Sequence, residues 1–240
     1  STLAGTLAAT KLGIPVAHVE AGLRSFDRRM PEEQNRIVAD HLARWLFAPT
    51  LAAVANLAAE GITTGVTLVG DLMQDLAARI GREVATPEAL AAVAARLGSL
   101  PGPLQPGAYT FATVHRAENR DPAAMRAWAA ILAGAARPDR PVVLALHPGT
   151  QAALDAAGIA LAPDVVVVEP QGYRTSLALQ LHAAAVITDS GGVQREAAWL
   201  RVPCLVLRET TEWVEAVDAS EGRMVIVGLD VERAAAELAR

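Results

Sequence analysis

Short apolar runs rich in valine, leucine and alanine alternate along this chain with longer stretches whose apolar positions recur at helical spacing, and glycine or proline punctuates the changes. The first half reads as a helix over 3–12 ended by Gly13, a strand over 14–19 and a polar loop over 21–30. Pro31-Glu32-Glu33 opens the next helix, since proline suits a first turn and carboxylates suit its positive end. Strands over 45–48 and 66–69 flank a helix over 51–60 that stops at Gly61, and a helix over 71–80 follows. Strand and helix repeated at this spacing predict an α/β fold, a parallel sheet with helices on its faces.

The periodicity fails around Gly98-Ser99-Leu100-Pro101-Gly102-Pro103, so the tract 101–107 is the predicted linker between a first domain, residues 1–100, and a second, residues 108–240. A helix over 87–97 is expected to pack beside it. The second domain restarts the rhythm, with strands predicted over 109–114, 142–146, 165–168, 185–188, 204–207 and 224–227, and helices over 125–135, 176–183 and 193–200. Polar residues or glycine stand directly after the strands: Glu20, Gly70, His115, His147, Asp189 and Arg208. Open α/β sheets bind ligands beyond the carboxyl ends of their strands, so this recurrence predicts a cleft lined by strand ends from both halves.

Composition narrows the class. With 52% hydrophobic residues in 240 the chain can bury a sizeable core, and abundant alanine with 4% aromatics favours packed helices over an all-β scaffold. The 21 basic residues are scattered among 26 acidic ones for a net charge of -5, which argues against a nucleic-acid surface. The single cysteine, Cys204, lies in the apolar run 202–207; it excludes an intrachain disulfide and is expected in the core. No apolar stretch reaches the roughly 20 residues that span a bilayer and nothing reads as a signal peptide, so the expected setting is cytoplasmic and off the membrane. The opening STLAGTLAATKLG lacks both an initiator methionine and the strand that should begin an α/β unit, and reads as the interior of a longer chain.

Candidate chemistry concentrates at the strand ends. Ser190-Gly191-Gly192 sits between a strand and a helix, where free N–H groups and missing side chains suit a diphosphate; the alternative is a small-residue turn. Glu196 falls on the second turn of that helix, placed to accept ribose hydroxyls or to face solvent. His115 and His147 close strands and can hold a phosphate oxygen or act as an acid near neutral pH, or be structural histidines. Glu20 and Glu32 bracket a loop with Arg24, Arg28 and Arg29, and Arg36 is four residues beyond Glu32, as either a surface ion pair or a means of fixing carboxylates and nucleotide charge. No zinc spacing, nucleophile elbow, phosphate-loop lysine motif or complete dinucleotide fingerprint is present, which disfavours metal hydrolysis, serine hydrolysis, nucleotide hydrolysis and ordinary dehydrogenation, and no cofactor is expected.

HVEAGLRS (18–25), PEEQNR (31–36), FAPT (47–50), HRAEN (115–119), TDSGGVQREA (188–197) and LRETTE (207–212) together resemble, in family order, the non-hydrolysing UDP-N-acetylglucosamine 2-epimerases. The resemblance implies two Rossmann-like domains in the glycosyltransferase-B arrangement, usually dimeric, with the first domain incomplete here. It implies elimination of UDP with loss of the C2 proton, a 2-acetamidoglucal, and re-addition after the proton returns on the other face. By motif match Glu20 and Glu32 correspond to catalytic carboxylates. Arg36 and His115 correspond to residues that hold or assist the diphosphate, and Ser190, Gly191, Gly192 and Glu196 to the UDP cradle. His147 and Arg208 would be further nucleotide contacts, and Gly70 would lie at a turn facing the cleft. Two departures stand out: Pro148-Gly149-Thr150 after His147, and Arg195 in place of a commonly acidic residue.

In this family about ninety residues precede the point where this chain starts, and the resemblance implies that 1–240 alone is inactive. SFDRRMPEE and LRETTEWVE resemble the branch acting on UDP-2,3-diacetamido-2,3-dideoxyglucuronate, whose carboxylate would suit an extra arginine such as Arg28 or Arg29, so that substrate stands as the alternative. A glycosyltransferase of the same architecture needs no C2 base and so has no use for Glu20 and Glu32. A non-catalytic UDP-sugar-binding module would bind without releasing UDP.

Overall fold

The computed structural model describes residues 2–97, 100, 102–211, 213, 217 and 220–239, the Ala117 side chain excepted. The chain divides into two compact units, one ending at Asp75 and the other beginning at Leu76.

In the first unit, α1 (Thr2–Lys11), β1 (Ala17–Val19), α2 (Pro31–Leu42), β2 (Trp45–Ala48), α3 (Leu51–Ala59) and β3 (Val66–Leu68) alternate, and the strands form a parallel sheet in the order β1-β2-β3. The strand expected over 14–19 is shorter because Gly13 turns the chain at φ 71° and Pro15 has no N–H to give a ladder. Pairing begins where the Val16 carbonyl accepts the Arg44 and Trp45 N–H groups. Helix α2 starts at Pro31 as its sequence predicts, and Thr50 caps α3 by accepting the Ala53 N–H at 3.1 Å. Gly22 lies at φ 82° with its hydrogen pressed on α3. A Cβ there would sit 2.3 Å from the Ala53 carbonyl oxygen, so no other residue fits without displacing the loop.

The second unit carries α4 (Leu72–Glu83) from its fifth residue to its end, then α5 (Pro87–Leu97), β4 (Thr110–Val114), a 3-10 turn (Ala117–Arg120), α6 (Pro122–Ala135), β5 (Val142–Leu146) and α7 (Pro148–Ala156). It continues with β6 (Val165–Val168), α8 (Tyr173–Leu181), β7 (Ala185–Thr188), α9 (Gly191–Trp199), β8 (Cys204–Val206), β9 (Met224–Ile226) and α10 (Val231–Leu238). All pairings in its six-stranded sheet are parallel, in the order β6-β5-β4-β7-β8-β9. Numbered within the sheet this is 3-2-1-4-5-6, the doubly wound order.

Alternate residues of β4 serve opposite faces: Phe111 packs with Leu90, Val93 and Leu179, whereas Ala112 packs with Trp128, Leu132 and Leu154. Because Val84, Leu90 and Val93 bury in the second unit's core with Tyr109 and Phe111, the compact division falls after Asp75, upstream of the tract 101–107. Leu104, inside that tract, is itself buried, while Gly98, Ser99 and Pro101 lie outside the described residues. Cys204 is buried as expected, and burial pushes its thiol up to about 12. No helix among the described residues is long and apolar enough to cross a membrane.

Candidate functional site

The order of the larger sheet reverses between β4 and β7, and a doubly wound sheet opens a crevice at the carboxyl ends of the two strands that flank such a reversal. Asp189, the first residue after β7, is fully buried there. Its carboxylate accepts the His115 N–H at 3.1 Å, the Arg116 N–H at 2.9 Å and the Asn119 side-chain amide at 2.8 Å. Arg116 Nε returns a bond to the Asp189 carbonyl at 3.0 Å, and Trp128 Nε1 donates to the Asn119 carbonyl at 3.0 Å. The HRAEN turn is thereby fastened to the end of β7 and to α6. The exposed His115 ring is held with Nδ1 3.3 Å from Asp189 Oδ1, an arrangement in which Nδ1 carries a proton and Nε2 is left to accept or deliver one.

Ser190 caps α9 by accepting the Val193 N–H at 3.4 Å. Gly191 and Gly192 are the first helical residues, and neither has a positive φ. A Cβ on either would meet other atoms only at 3.7 Å or beyond, so the fold itself has no need of glycine at these positions. What the two glycines leave is open backbone at the positive end of a helix, where an anionic oxygen can approach the N–H groups. His147 caps α7, its Nδ1 accepting the Gly149 N–H at 3.1 Å; the neutral ring therefore carries its proton on Nε2. Arg208 follows β8 and is buried. Since Val114 pairs with Leu146, Thr113 with Thr188 and Thr188 with Val206, the residues His115, His147, Asp189 and Arg208 all stand at the same end of the sheet.

Glu196, one turn along α9, is 5% exposed and accepts a 2.6 Å bond from Gln180 Nε2. Burial raises its carboxyl above the usual range, opposed by the Gln180 bond and the nearby Arg195 charge. A raised native value means that this carboxyl's contribution to stability is full below about pH 4.3 and is lost as pH rises through the raised value. Glu196→Gln, which keeps an acceptor for Gln180, is expected to match the parent in urea midpoint near pH 4 and to exceed it increasingly toward pH 7. A midpoint difference that stays flat with pH would remove the burial argument. Arg195, the departure beside it, lies 3.7 Å over the Trp213 ring and 5.5 Å from that of Trp199, so its cation is taken up by a stack.

In the first unit the register aligns the ends of β1, β2 and β3, with Val19 opposite Phe47 and Ala48 opposite Leu68. Glu20 and Gly70 thus share one edge of that sheet; Glu20 adopts φ 63° and Gly70 φ 80°. Glu32 is exposed on the first turn of α2, whereas its neighbour Glu33 is 1% exposed and accepts the Ser25 and Phe26 N–H groups at 2.9 and 3.0 Å. One glutamate of the pair ties down the 25–26 loop and the other faces outward. Arg36 Nε donates to the Glu32 backbone carbonyl at 3.2 Å and lies 3.5 Å from the Glu33 carboxylate, an ion pair at i,i+3.

Arg24 is a different matter. Read from the loop as a means of fixing carboxylates or nucleotide charge, it is buried, with Nη1 2.7 Å from Asp40 and Nε and Nη2 at 2.6 and 2.7 Å from the two oxygens of Glu60. Asp40 in turn accepts the Gly22 N–H at 3.1 Å and a 2.5 Å contact from His18 Nδ1. Asp40, Glu60 and Glu33 escaped sequence reasoning because each sits within a helix or at its end, where a carboxylate looks like ordinary surface charge. Asp189 stood out as a strand-end residue, but nothing in the sequence pairs it with Asn119.

Comparison with known proteins converges on one family. The sequence model of the UDP-N-acetylglucosamine 2-epimerase family matches residues 1–240. The UDP-2,3-diacetamido-2,3-dideoxy-D-glucuronate 2-epimerase of Pseudomonas aeruginosa is 43% identical over 95% of this chain and 61% of its own length. The UDP-N-acetylglucosamine 2-epimerase of Methanococcus maripaludis is 36% identical over 97% and 63%. The crystal structure of the Methanocaldococcus jannaschii UDP-GlcNAc 2-epimerase in complex with UDP-GlcNAc and UDP superposes with a TM-score of 0.84 at 36% identity, covering 99% of this chain and 65% of that one. The chain therefore spans a little under two thirds of the relatives that it matches. With a doubly wound sheet, a glycine-opened helix at its switch point and a family match along its whole length, the chain belongs to the UDP-N-acetylglucosamine 2-epimerase family.

Proposed function

We propose that the protein interconverts UDP-N-acetylglucosamine and UDP-N-acetylmannosamine. A carboxylate removes the C2 proton as the C1–oxygen bond breaks and UDP departs, leaving a 2-acetamidoglucal; a proton then returns to the opposite face of C2 and UDP adds back at C1. The observation that carries this reading is the open start of α9 beside the His115–Asp189 turn, in a chain 36% identical to a protein whose structure holds UDP-GlcNAc and UDP. In it, Ser190, Gly191 and Gly192 receive the diphosphate, Glu196 accepts the ribose hydroxyls, and His147 and Arg208 make further nucleotide contacts. Gly70 supplies a turn beside the sugar. His115 delivers a proton or positive charge to the departing phosphate oxygen, Arg36 adds charge, and Glu20 and Glu32 handle the C2 proton. We place the protein in the cytoplasm as a homodimer with no cofactor.

A second reading rests on the relative at 43% identity: UDP-2,3-diacetamido-2,3-dideoxyglucuronate as substrate, its carboxylate met by Arg28 or Arg29. Proton NMR of the full-length gene product in deuterated buffer separates the two. With UDP-N-acetylglucosamine, deuterium is expected at C2 together with the manno epimer; turnover of the diacetamido-glucuronate sugar alone would transfer the assignment to the second substrate. Binding of both sugars without exchange of either would leave a transferase or a sugar-binding module, and would strip Glu20 and Glu32 of their roles.

A further inference from the structure

Gln194, on the first turn of α9, is fully buried, and its Nε2 has no hydrogen-bond partner among the described residues. Its amide orientation is set by the other end: Thr211 Oγ1, which accepts the Trp213 N–H at 3.1 Å, donates to Gln194 Oε1 at 3.2 Å, so the amide oxygen is turned to the threonine and the NH2 group to the other side. It points toward Gly191. The place that a Cβ on Gly191 would take is 3.7 Å from Gln194 Nε2 and 3.8 Å from Trp213 Nε1, its nearest neighbours among the described residues. Two N–H donors, one from α9 and one from the segment after β8, thus face one position at the mouth of a helix, and one of them is a buried donor left unsatisfied among the described residues, which a fold tolerates where a ligand completes it. The Arg195 guanidinium 3.7 Å over the Trp213 ring fixes the indole plane and adds positive charge behind it.

We propose that Gln194 Nε2 and Trp213 Nε1 form a two-pronged donor that binds phosphoryl oxygens over Gly191, making both of them ligand-binding residues. The inference rests on the reading that the start of α9 receives the diphosphate, and it adds side-chain donors to a cradle otherwise made of backbone. Two oxygens of one phosphoryl group can engage the two nitrogens, and the uracil and ribose do not take part.

Calorimetric titration of the full-length protein with UDP and with uridine tests this. Gln194→Met, similar in size and without the donor, is expected to weaken UDP about tenfold, to leave uridine unchanged and to hold the thermal midpoint near the parent's, since an orphaned donor goes together with the acceptor for Thr211. Gln194→Glu, which keeps the acceptor for Thr211 but faces the phosphate with a carboxylate, is expected to weaken UDP about a hundredfold. Trp213→Phe keeps the ring under Arg195 and is expected to cost about threefold. UDP affinity of Gln194→Met within about twofold of the parent, or an equal loss for uridine, would overturn the proposal. If the parent itself does not bind UDP, the reading of the α9 start falls and the proposal with it, whereas tight binding by the parent and the variants alike removes the proposal alone.

Discussion

Arg24→Ala is expected to lower the unfolding free energy of the first unit by about 3–5 kcal/mol, the range for removing one partner of a buried charge pair. The guanidinium makes one bond to Asp40 and two to Glu60, and Asp40 is shut away from water. Without Arg24 the Asp40 charge keeps only His18 and the Gly22 N–H. The loop after β1 then loses its anchors to α2 and to the end of α3 at once. Burial alone would raise the Asp40 carboxyl, but the hydrogen bonds from His18 and Arg24 outweigh it, and the native value lies below the ordinary one. A depressed value contributes stability that is present above about pH 3.9 and is lost as pH falls through the native value. In the variant, loss on acidification should begin at a higher pH. Denaturant titrations at pH 7 and at stepped acidic pH read both effects, and a variant within about 1 kcal/mol of the parent at pH 7 would show that solvent reaches Asp40.

Gly191→Ala should separate folding from binding. In a helix the exchange removes backbone freedom from the unfolded chain, worth about 0.5 kcal/mol in favour of the variant, and the new methyl meets only ordinary contacts. The same methyl fills the position above the free N–H groups at the start of α9 and holds an oxygen away from them. Losing two hydrogen bonds to a charged oxygen corresponds to about a hundredfold in UDP affinity. The expected result is therefore a protein at least as stable as its parent that hardly binds UDP. Unchanged affinity would falsify the assignment of this helix end as the diphosphate site.

The parallel layout was legible because its signals are local. Strands Val142–Leu146, Val165–Val168 and Ala185–Thr188 appear where apolar runs predicted them, since a strand covered on both faces must be apolar throughout, and Trp45–Ala48 appears as predicted with Leu46 and Ala48 buried on one face. Helix α6 begins three residues earlier than expected because Asp121 caps it through the Ala123 N–H and Pro122 fits its first turn, a signal that the aspartate and proline did carry. Helices α7 and α10 were missed: Pro148-Gly149-Thr150 looks like a turn, and the cap of α7 is a histidine ring, outside the usual capping residues. α10 opens on Asp230, which accepts the Arg233 N–H, and Glu232, Arg233 and Glu237 set off an apolar face at Ala234 and Leu238, a signal that the sequence did carry. At the site, the strand-end residues were visible one by one. The bonds joining Asp189 to His115 and Asn119 were not, because they link positions 74 and 70 apart and depend on which strands become neighbours.

That separation bears on when the crevice comes into being. Strand β4 can pair with β5 soon after both are made, but its other neighbour, β7, and the carboxylate that holds the HRAEN turn come more than seventy residues later. Contacts this far apart in sequence form late, since the closing of a long loop must precede any return from them. A nascent chain thus has a hydrophobic half-sheet well before it has the crevice proposed to receive a phosphate. On the proposed function, nucleotide would act only on the finished sheet, slowing its reopening and drawing the last folding step to completion by mass action.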